Sequence, residues 1–208
     1  MIAEEEMVLT ITHNGYIKRT SLSTYRSQRR GGRGVQGASS REEDFVEHLF
    51  VANTHSYILF FTDKGKCYWV KVYDIPEGGR AAKGRAIVNL IGCEPDEKVS
   101  AFISVKEFNE DHYVVMATEK GMVKKTKLSA YSNPRKKGIY AVEIRDGDKL
   151  IEARVSTGDN DILLGTRNGK SIRFSEEQIR ASGRKTMGVK GITLSSEDDL
   201  SLIHISEP

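Results

Sequence analysis

The 208-residue sequence contains little cysteine and no long apolar segment. Its two cysteines, Cys67 and Cys93, lack the spacing of a C-x-x-C motif, so we expect neither a disulfide framework nor a zinc site. We also expect the protein to reside in a reducing compartment. The longest apolar run, Tyr57–Phe61, is far too short to span a bilayer. The first residues are acidic, whereas a secretory signal is basic and then apolar. These features predict a soluble cytoplasmic protein without a membrane partner.

Patterns that would carry catalysis are also missing. The five histidines fall in unrelated contexts, and no nucleophile–base pair or cluster of metal ligands is visible. Residues 32–37 formally match G-x-G-x-x-G, but an arginine-rich loop precedes them where a dinucleotide site needs a strand. No Walker A pattern occurs. We therefore expect no catalytic residue, no metal site and no cofactor within this chain.

The sequence does contain an internal repeat. A Thr-x-x-Gly element follows an apolar run at four places, with the glycines 50, 56 and 48 residues apart. An apolar run that ends in Asn-Gly or Lys-Gly predicts a strand entering a tight hairpin, because glycine accepts a positive φ. The four elements are Thr12–Gly15, Thr62–Gly65, Thr118–Gly121 and Thr166–Gly169.

Two further columns of the repeat predict a common scaffold. One is an apolar anchor (Tyr25, Ile75, Tyr131, Ile179), and the other is a second glycine (Gly34, Gly84, Gly138, Gly188). With an alternating segment after the second glycine and few helical patterns, they predict an all-β, propeller-like fold. The four units cover residues 7–55, 56–111, 112–160 and 161–200. Residues 201–208 do not continue the repeat and look like translated vector or adapter sequence.

Positive charge is phased with this repeat, although the formal net charge is only +3. Residues 7–41 hold seven basic residues and no acid, residues 119–138 seven basic residues and one acid, and residues 167–190 seven and two. The connector 92–111 reverses the sign, with six acids and two lysines. In a ring of blades, phased cations would form one basic track, which favours binding to a phosphate backbone.

The most specific motif is the arginine–glycine loop at residues 28–34, Q-R-R-G-G-R-G. Arginine binds phosphate oxygens bidentately, and the intervening glycines allow the backbone to approach a duplex closely. The later repeats keep only an outline of this loop. The residues that we expect to contact DNA are Lys18, Arg19, Arg26, Gln28, Arg29, Arg30, Gly31, Gly32, Arg33, Gly34, Lys124, Lys125, Arg135, Lys136, Lys137, Arg173, Arg184 and Lys185.

This loop resembles the box that marks the C-terminal domain of the DNA gyrase A subunit family. The flanking residues 6–20 are similar to the first blade of that family, and the similarity extends from residue 1 to about residue 200. The resemblance implies a β-pinwheel that wraps double-stranded DNA without sequence specificity on its rim and so supports negative supercoiling. It also implies two protein partners, namely the N-terminal domain of the gyrase A subunit and the gyrase B subunit. The resemblance further implies that the protein is bacterial and associated with the chromosome. ATP and Mg²⁺ would be needed only in that whole enzyme.

The chain also departs from that family. Four repeats are fewer than the family's ring usually has, and the domain with the nucleophilic tyrosine is not recognisable. We therefore expect a non-enzymatic fragment with an incomplete ring. Two alternatives remain open: the C-terminal domain of the topoisomerase IV A subunit, which lacks an intact box, and a protein-binding propeller, which would not need phased cations. A propeller hydrolase would need convergent carboxylates, metal ligands or a nucleophile–base pair.

Overall fold

The structure, a computed structural model, describes residues 2–24 and 44–207. These residues form short strands, one α-helix (α1, Ile87–Ile91) and 3-10 turns at Leu22–Thr24, Val72–Asp74, Leu128–Tyr131 and Glu176–Gln178. In chain order the strands are β1 (Glu6–Thr12), β2 (Tyr16–Ser21), β3 (Val46–Asn53), β4 (Tyr57–Thr62), β5 (Lys66–Lys71), β6 (Arg85–Ala86), β7 (Val99–Val105), β8 (Tyr113–Thr118), β9 (Met122–Lys127), β10 (Ile139–Tyr140), β11 (Leu150–Ser156), β12 (Asp161–Thr166), β13 (Ser171–Ser175), β14 (Val189–Lys190) and β15 (Leu200–Ser206).

The strands form four antiparallel sheets, which confirms the predicted all-β repeat fold. The sheet orders are β3-β1-β2-β6, β10-β5-β4-β7, β11-β8-β9-β14 and β13-β12-β15. Each sheet is built around a hairpin whose two strands meet at a Thr-x-x-Gly turn. The longer strand that follows in each repeat pairs with the first strand of the hairpin, as β3 pairs with β1 and β11 with β8.

The four Thr-x-x-Gly turns share one hydrogen-bond pattern. The glycine N–H donates to the threonine carbonyl at 2.9 to 3.1 Å. The threonine Oγ1 accepts from the N–H of the residue after the glycine at 3.1 to 3.2 Å. The glycine φ lies between +78° and +88° in all four turns, a region that glycine reaches without steric cost. The threonine column therefore repeats because its side chain closes the turn.

Two compact units divide the chain: residues 1–58 with 70–92, and residues 59–69 with 93–208. In the first unit, the core includes Met7, Leu9 and Ile17, which are fully buried. In the second, one apolar cluster combines residues of β8, β9, β12 and β15 with Ile179, which follows the 3-10 turn Glu176–Gln178. Its members are Val115, Ala117, Val123, Ile162, Leu164, Ile179, Leu200 and Ile203. The strand β11 contacts both β7 and β15 in this unit.

Each of the first three sheets is completed by a two-residue strand from the next repeat. By sequence β6 belongs to the second repeat, β10 to the third and β14 to the fourth, but they pair with β2, β5 and β9 respectively. A sheet is therefore not one sequence repeat, because its outermost strand comes from the next. This exchange places the segment around the second glycine of the second, third and fourth repeats on the outer side of the preceding sheet.

The sequence predicts that residues 201–208 lie outside the repeat, and for residues 201–206 this is wrong. They form most of β15, which pairs along β12 from Asp161↔Ser206 to Thr166↔Leu200. The register matches that of β11 on β8, and Leu200 and Ile203 are buried in the apolar cluster of the second unit. The pairing needs only a suitable apolar pattern, so the prediction about the origin of these residues stays a prediction.

Candidate nucleic-acid interface

Three outer-edge loops carry basic residues, and the second and third of them contain cations that the sequence predicts to bind DNA. We use this name for residues 78–84, 133–138 and 183–188, which precede β6, β10 and β14. The first loop is fixed at its two ends by Gly78 N–H donating to the Arg19 carbonyl (3.0 Å) and Ile87 N–H donating to the Gly15 carbonyl (2.9 Å). The third is fixed in the same way by Ser182 N–H on the Lys125 carbonyl and Gly191 N–H on the Gly121 carbonyl, both 2.8 Å. The loops are therefore docked on the preceding sheet.

The second glycine of the repeat allows this docking. Gly84 and Gly188 have φ of +82° and +84°, and a Cβ at either position would lie 2.3 Å from the carbonyl oxygen of Ile17 or Val123. At Gly138 (φ +67°) a Cβ would lie 2.8 Å from the ring of Tyr68. No side chain fits at such distances, and L-residues avoid this backbone region. The loop approaches the strand closely because the residue there is glycine.

Apart from Arg184, the cations on the second and third loops are exposed, and they lack acidic partners among the described residues. Arg135, Lys136, Lys137 and Lys185 are all exposed, and none of them forms an ion pair within the part of the chain that the structure describes. Arg184 is half-buried, and its guanidinium donates to the Tyr140 carbonyl at 3.2 Å. These two loops of the second unit therefore carry exposed positive charge that no acidic side chain of the described residues neutralises.

Basic residues at the Thr-x-x-Gly turns are paired instead. Lys64 is ion-paired with Asp96. Lys120 and Arg167 both pair with Asp199, at 3.0 and 3.4 Å. Carboxylates thus neutralise these cations of the turns, whereas Lys136 and Lys185 on the second and third outer-edge loops remain available.

The structure corrects the prediction for three lysines. A lysine that contacts DNA must present its ammonium group at the surface, but Lys18, Lys124 and Lys125 are 4%, 1% and 6% exposed. Their ammonium groups donate to the protein's own backbone carbonyls. Burial lowers the pKa of Lys18, and it lowers the pKa of Lys124 to about 7, with the nearby Arg184 charge acting in the same direction. None of these three side chains presents its ammonium group at the surface.

Two predicted arginines are engaged in contacts of their own. Arg19 donates from Nε to the Ile75 carbonyl (2.7 Å) and pairs with Glu77 at 3.1 Å. Arg173 is exposed but ion-paired with Asp161. The expected contacts at Arg26 and residues 28–34 lie outside the described residues.

Four exposed cations near the loops are not among the residues predicted from the sequence. Lys83 and Arg85 flank the glycine of the first loop, and Arg180 and Lys190 lie on either side of the third. The Lys83 ammonium also lies 3.9 Å from the centre of the Tyr16 ring. Lys83 could have been found from the sequence, because it stands immediately before the second glycine, as Lys137 does in the third repeat. The other three do not share a repeat column with Arg135–Lys137.

The described residues contain neither a cluster of metal ligands nor a membrane-spanning helix. Within residues 2–24 and 44–207, no group of three His, Cys, Asp or Glu side chains could hold a metal ion. No helix in the same part of the chain is long and apolar enough to cross a membrane.

The repeated sheets and exchanged outer strands define the chain as a propeller-like repeat protein of the β-pinwheel type. The family model described as "DNA gyrase C-terminal domain, beta-propeller" matches residues 6–53, 56–106, 112–157 and 160–206. The chain belongs to this family.

Curated relatives and solved structures agree with that assignment. The DNA gyrase A subunit of Clostridium acetobutylicum is 51% identical over 191 residues, which are 92% of this chain and 23% of that protein. The DNA gyrase A subunit of Neisseria gonorrhoeae is 53% identical over 176 residues, 85% of this chain and 19% of that protein. The chain thus spans about a quarter or less of these relatives.

Among solved structures, the crystal structure of the C-terminal domain of DNA topoisomerase IV superposes with a TM-score of 0.84 at 29% identity, covering all of this chain and 63% of that one. A structure of the DNA gyrase A C-terminal domain gives a TM-score of 0.72 at 23% identity, covering 96% of this chain and 64% of that one. At this identity the second match supports the fold alone.

Proposed function

We propose that this chain binds double-stranded DNA without sequence preference and bends it along the outer-edge loops, as the C-terminal domain of a DNA gyrase A subunit. The curated relatives named above, at 51% and 53% identity, are gyrase A subunits, which favours gyrase over topoisomerase IV. A protein-binding propeller would have no need for unpaired cations in phase with the repeat.

The sorting of charge in the second unit carries this proposal. Cations at the turns are neutralised by neighbouring carboxylates, as in Lys120 with Asp199. Cations of the outer-edge loops, such as Lys136 and Lys185, are exposed and unpaired among the described residues. A surface that contacts only solvent would not require paired cations at the turns and unpaired cations at the loops. Binding to a phosphate backbone requires unpaired cations, because each cation that neutralises a phosphate releases a counterion and so contributes to affinity.

The wider role follows from the family. We propose that the chain acts within a bacterial gyrase, in the cytoplasm and on the chromosome, where its partners are the N-terminal domain of the gyrase A subunit, together with the gyrase B subunit. Wrapping of DNA on this domain would present a second DNA segment for strand passage and favour negative supercoils. DNA cleavage, ATP hydrolysis and Mg²⁺ binding would then belong to the whole enzyme, and this chain would carry no catalytic residue.

The first test is the salt dependence of binding to duplexes of random sequence, measured by fluorescence anisotropy. Each neutralised phosphate contributes about −0.9 to the slope of log K against log salt, so six contacts give roughly −5. We expect a slope of that size or steeper, with equal affinity for unrelated sequences. A slope near −1 or a strong preference for one sequence contradicts the proposal.

A pair of charge-matched variants tests the interface itself. The interface variant Arg135→Ala/Lys136→Ala/Lys137→Ala and the turn variant Lys64→Ala/Lys120→Ala/Arg167→Ala each remove three positive charges. If all three loop cations bind phosphates, the interface variant should have a slope shallower by about 2.7. The turn variant should keep the wild-type slope, because its cations are already paired. Equal losses of affinity and slope in both variants would show that only net charge matters.

A further inference from the structure

Two of the four repeats have a lysine three residues after the turn glycine, Lys18 and Lys124. The same position is Tyr68 in the second repeat and Ile172 in the fourth. Both lysines lie on the second strand of their hairpin, under an outer-edge loop of the following repeat. Neither ammonium group can reach a phosphate from there.

The Lys18 ammonium gathers three carbonyls of the first outer-edge loop. It donates to the carbonyl oxygens of Gly79, Arg80 and Ala82 at 3.0, 2.8 and 2.9 Å. An ammonium group has three N–H donors, so this loop satisfies all of them. One cation therefore fixes the path of four consecutive loop residues.

Lys124 makes the corresponding contact with the third outer-edge loop. Its ammonium donates to the Arg184 carbonyl of that loop and to the Ala141 carbonyl, both at 2.6 Å. A buried charge is costly without strong hydrogen bonds, and burial opposes the charged form of this lysine. A residue that only filled space at this position would be apolar.

The other two repeats show that the position does not require lysine for folding. Tyr68 donates its hydroxyl to Glu97 at 2.7 Å and so contacts the connector of its own repeat. Ile172 is exposed on β13, and no outer-edge loop lies over that strand in the described part of the chain.

We propose that Lys18 and Lys124 are positioning residues of the DNA interface, each holding the basic loop of the following repeat in one conformation through its ammonium group. This inference rests on the proposed function. Affinity for DNA requires only that the loop cations are near phosphates, but a defined bend requires them to be fixed relative to the sheet, because preorganised contacts need no reordering on binding. The two lysines therefore determine how DNA bends more than how tightly it binds.

Hydrogen exchange tests whether the lysines hold the loops. In Lys18→Met we expect the amides of Gly78 and Ile87, which anchor the first loop, to exchange about tenfold faster or more, with Ser182 and Gly191 unchanged. In Lys124→Met we expect the reverse pattern. The exposed variant Lys136→Met should change neither pair. Unchanged exchange at the anchoring amides, or faster exchange throughout the unit, overturns the proposal.

DNA bending then separates positioning from general stability. Energy transfer between dyes at the ends of a short duplex is measured at saturating concentrations of the 208-residue chain. Lys18→Met and Lys124→Met should reduce the bend while changing affinity less than about threefold, whereas Lys136→Met should weaken binding and leave the saturated bend unchanged. A lower melting temperature with an unchanged bend would show a merely structural role. Absence of DNA binding by the wild type would refute the proposed function, and the exchange data would still show whether the lysines hold the loops.

Discussion

The ammonium group of Lys125 lies 3.6 Å from Oε1 of Glu176, and the two side chains are 8% and 0% exposed. The same carboxylate accepts hydrogen bonds from the Ser156 hydroxyl (2.6 Å) and the Asn160 N–H (3.2 Å). The lysine also donates to the Glu176 backbone carbonyl at 3.1 Å. A basic residue that the sequence places in a DNA-binding segment therefore stabilises a buried carboxylate.

Lys125→Met should lower the free energy of unfolding by about 3 to 5 kcal/mol, because it leaves the Glu176 carboxylate buried without its cation. The double variant Lys125→Met/Glu176→Gln should lose less, since the uncompensated charge is removed as well. Urea denaturation of both variants at pH 7 provides the measurement. Equal stability of wild type and Lys125→Met would mean that the ion pair does not stabilise the unit.

Substituting alanine at two glycines with nearly the same φ distinguishes the stability cost of a left-handed backbone from the cost of a steric clash with a neighbouring strand. Gly169 has φ +80°, and a Cβ added there would have no atom within 4 Å. Gly169→Ala should therefore lower the free energy of unfolding only by the cost of placing alanine in the left-handed conformation, about 1 to 2 kcal/mol. Gly188 has φ +84°, but its Cβ would lie 2.3 Å from the Val123 carbonyl oxygen. Gly188→Ala should therefore cost at least about 1 kcal/mol more. Similar losses in denaturant titrations would argue that the third loop is not held closely against β9.

The pH dependence of stability should contain a contribution from Lys124. Its pKa is about 7 in the folded chain and the ordinary 10.5 when unfolded, because burial and the charge of Arg184 disfavour the ammonium form. Between these values the unfolded state binds more protons, so this lysine makes stability rise as the pH increases from about 7 towards 10. In Lys124→Met that rise should be smaller. Urea midpoints from pH 6 to 10 measure the difference, and parallel curves for the two proteins would contradict the shifted pKa.

The arginine–glycine loop should set the topology of the complex. We expect Arg29→Ala/Arg30→Ala/Arg33→Ala to reduce DNA bending, or supercoiling by a reconstituted whole enzyme, more than it reduces DNA binding. The matched variant Arg135→Ala/Lys136→Ala/Lys137→Ala removes the same charge from the second outer-edge loop and should chiefly lower affinity. Bending assays and anisotropy on both variants give the comparison. Identical effects in both assays would mean that the two loops share one role.

Local patterns determined much of this protein. The Thr-x-x-Gly elements predict hairpins because the hydrogen bonds of those turns, such as Thr62 Oγ1 with the N–H of Lys66, lie within five consecutive residues. The second glycine of each repeat and the repeating basic segments can also be recognised from the amino-acid sequence. The sequence alone therefore specified the repeat, the sheet class and the loops that carry exposed cations such as Lys136.

Tertiary structure decided which cations are available. The side chains of consecutive strand residues point to opposite faces of the sheet. At least one of the Lys124 and Lys125 side chains would therefore be expected at the surface. Both are buried, because the segment containing Arg184 covers one and Glu176 pairs with the other, at sequence separations of 60 and 51 residues. The burial of a lysine depends on which distant segment packs over its strand. For Lys124 that packing follows from the exchange of outer strands between repeats, and for Lys125 from the 3-10 turn Glu176–Gln178 of the next repeat. No local pattern around the two lysines encodes either contact.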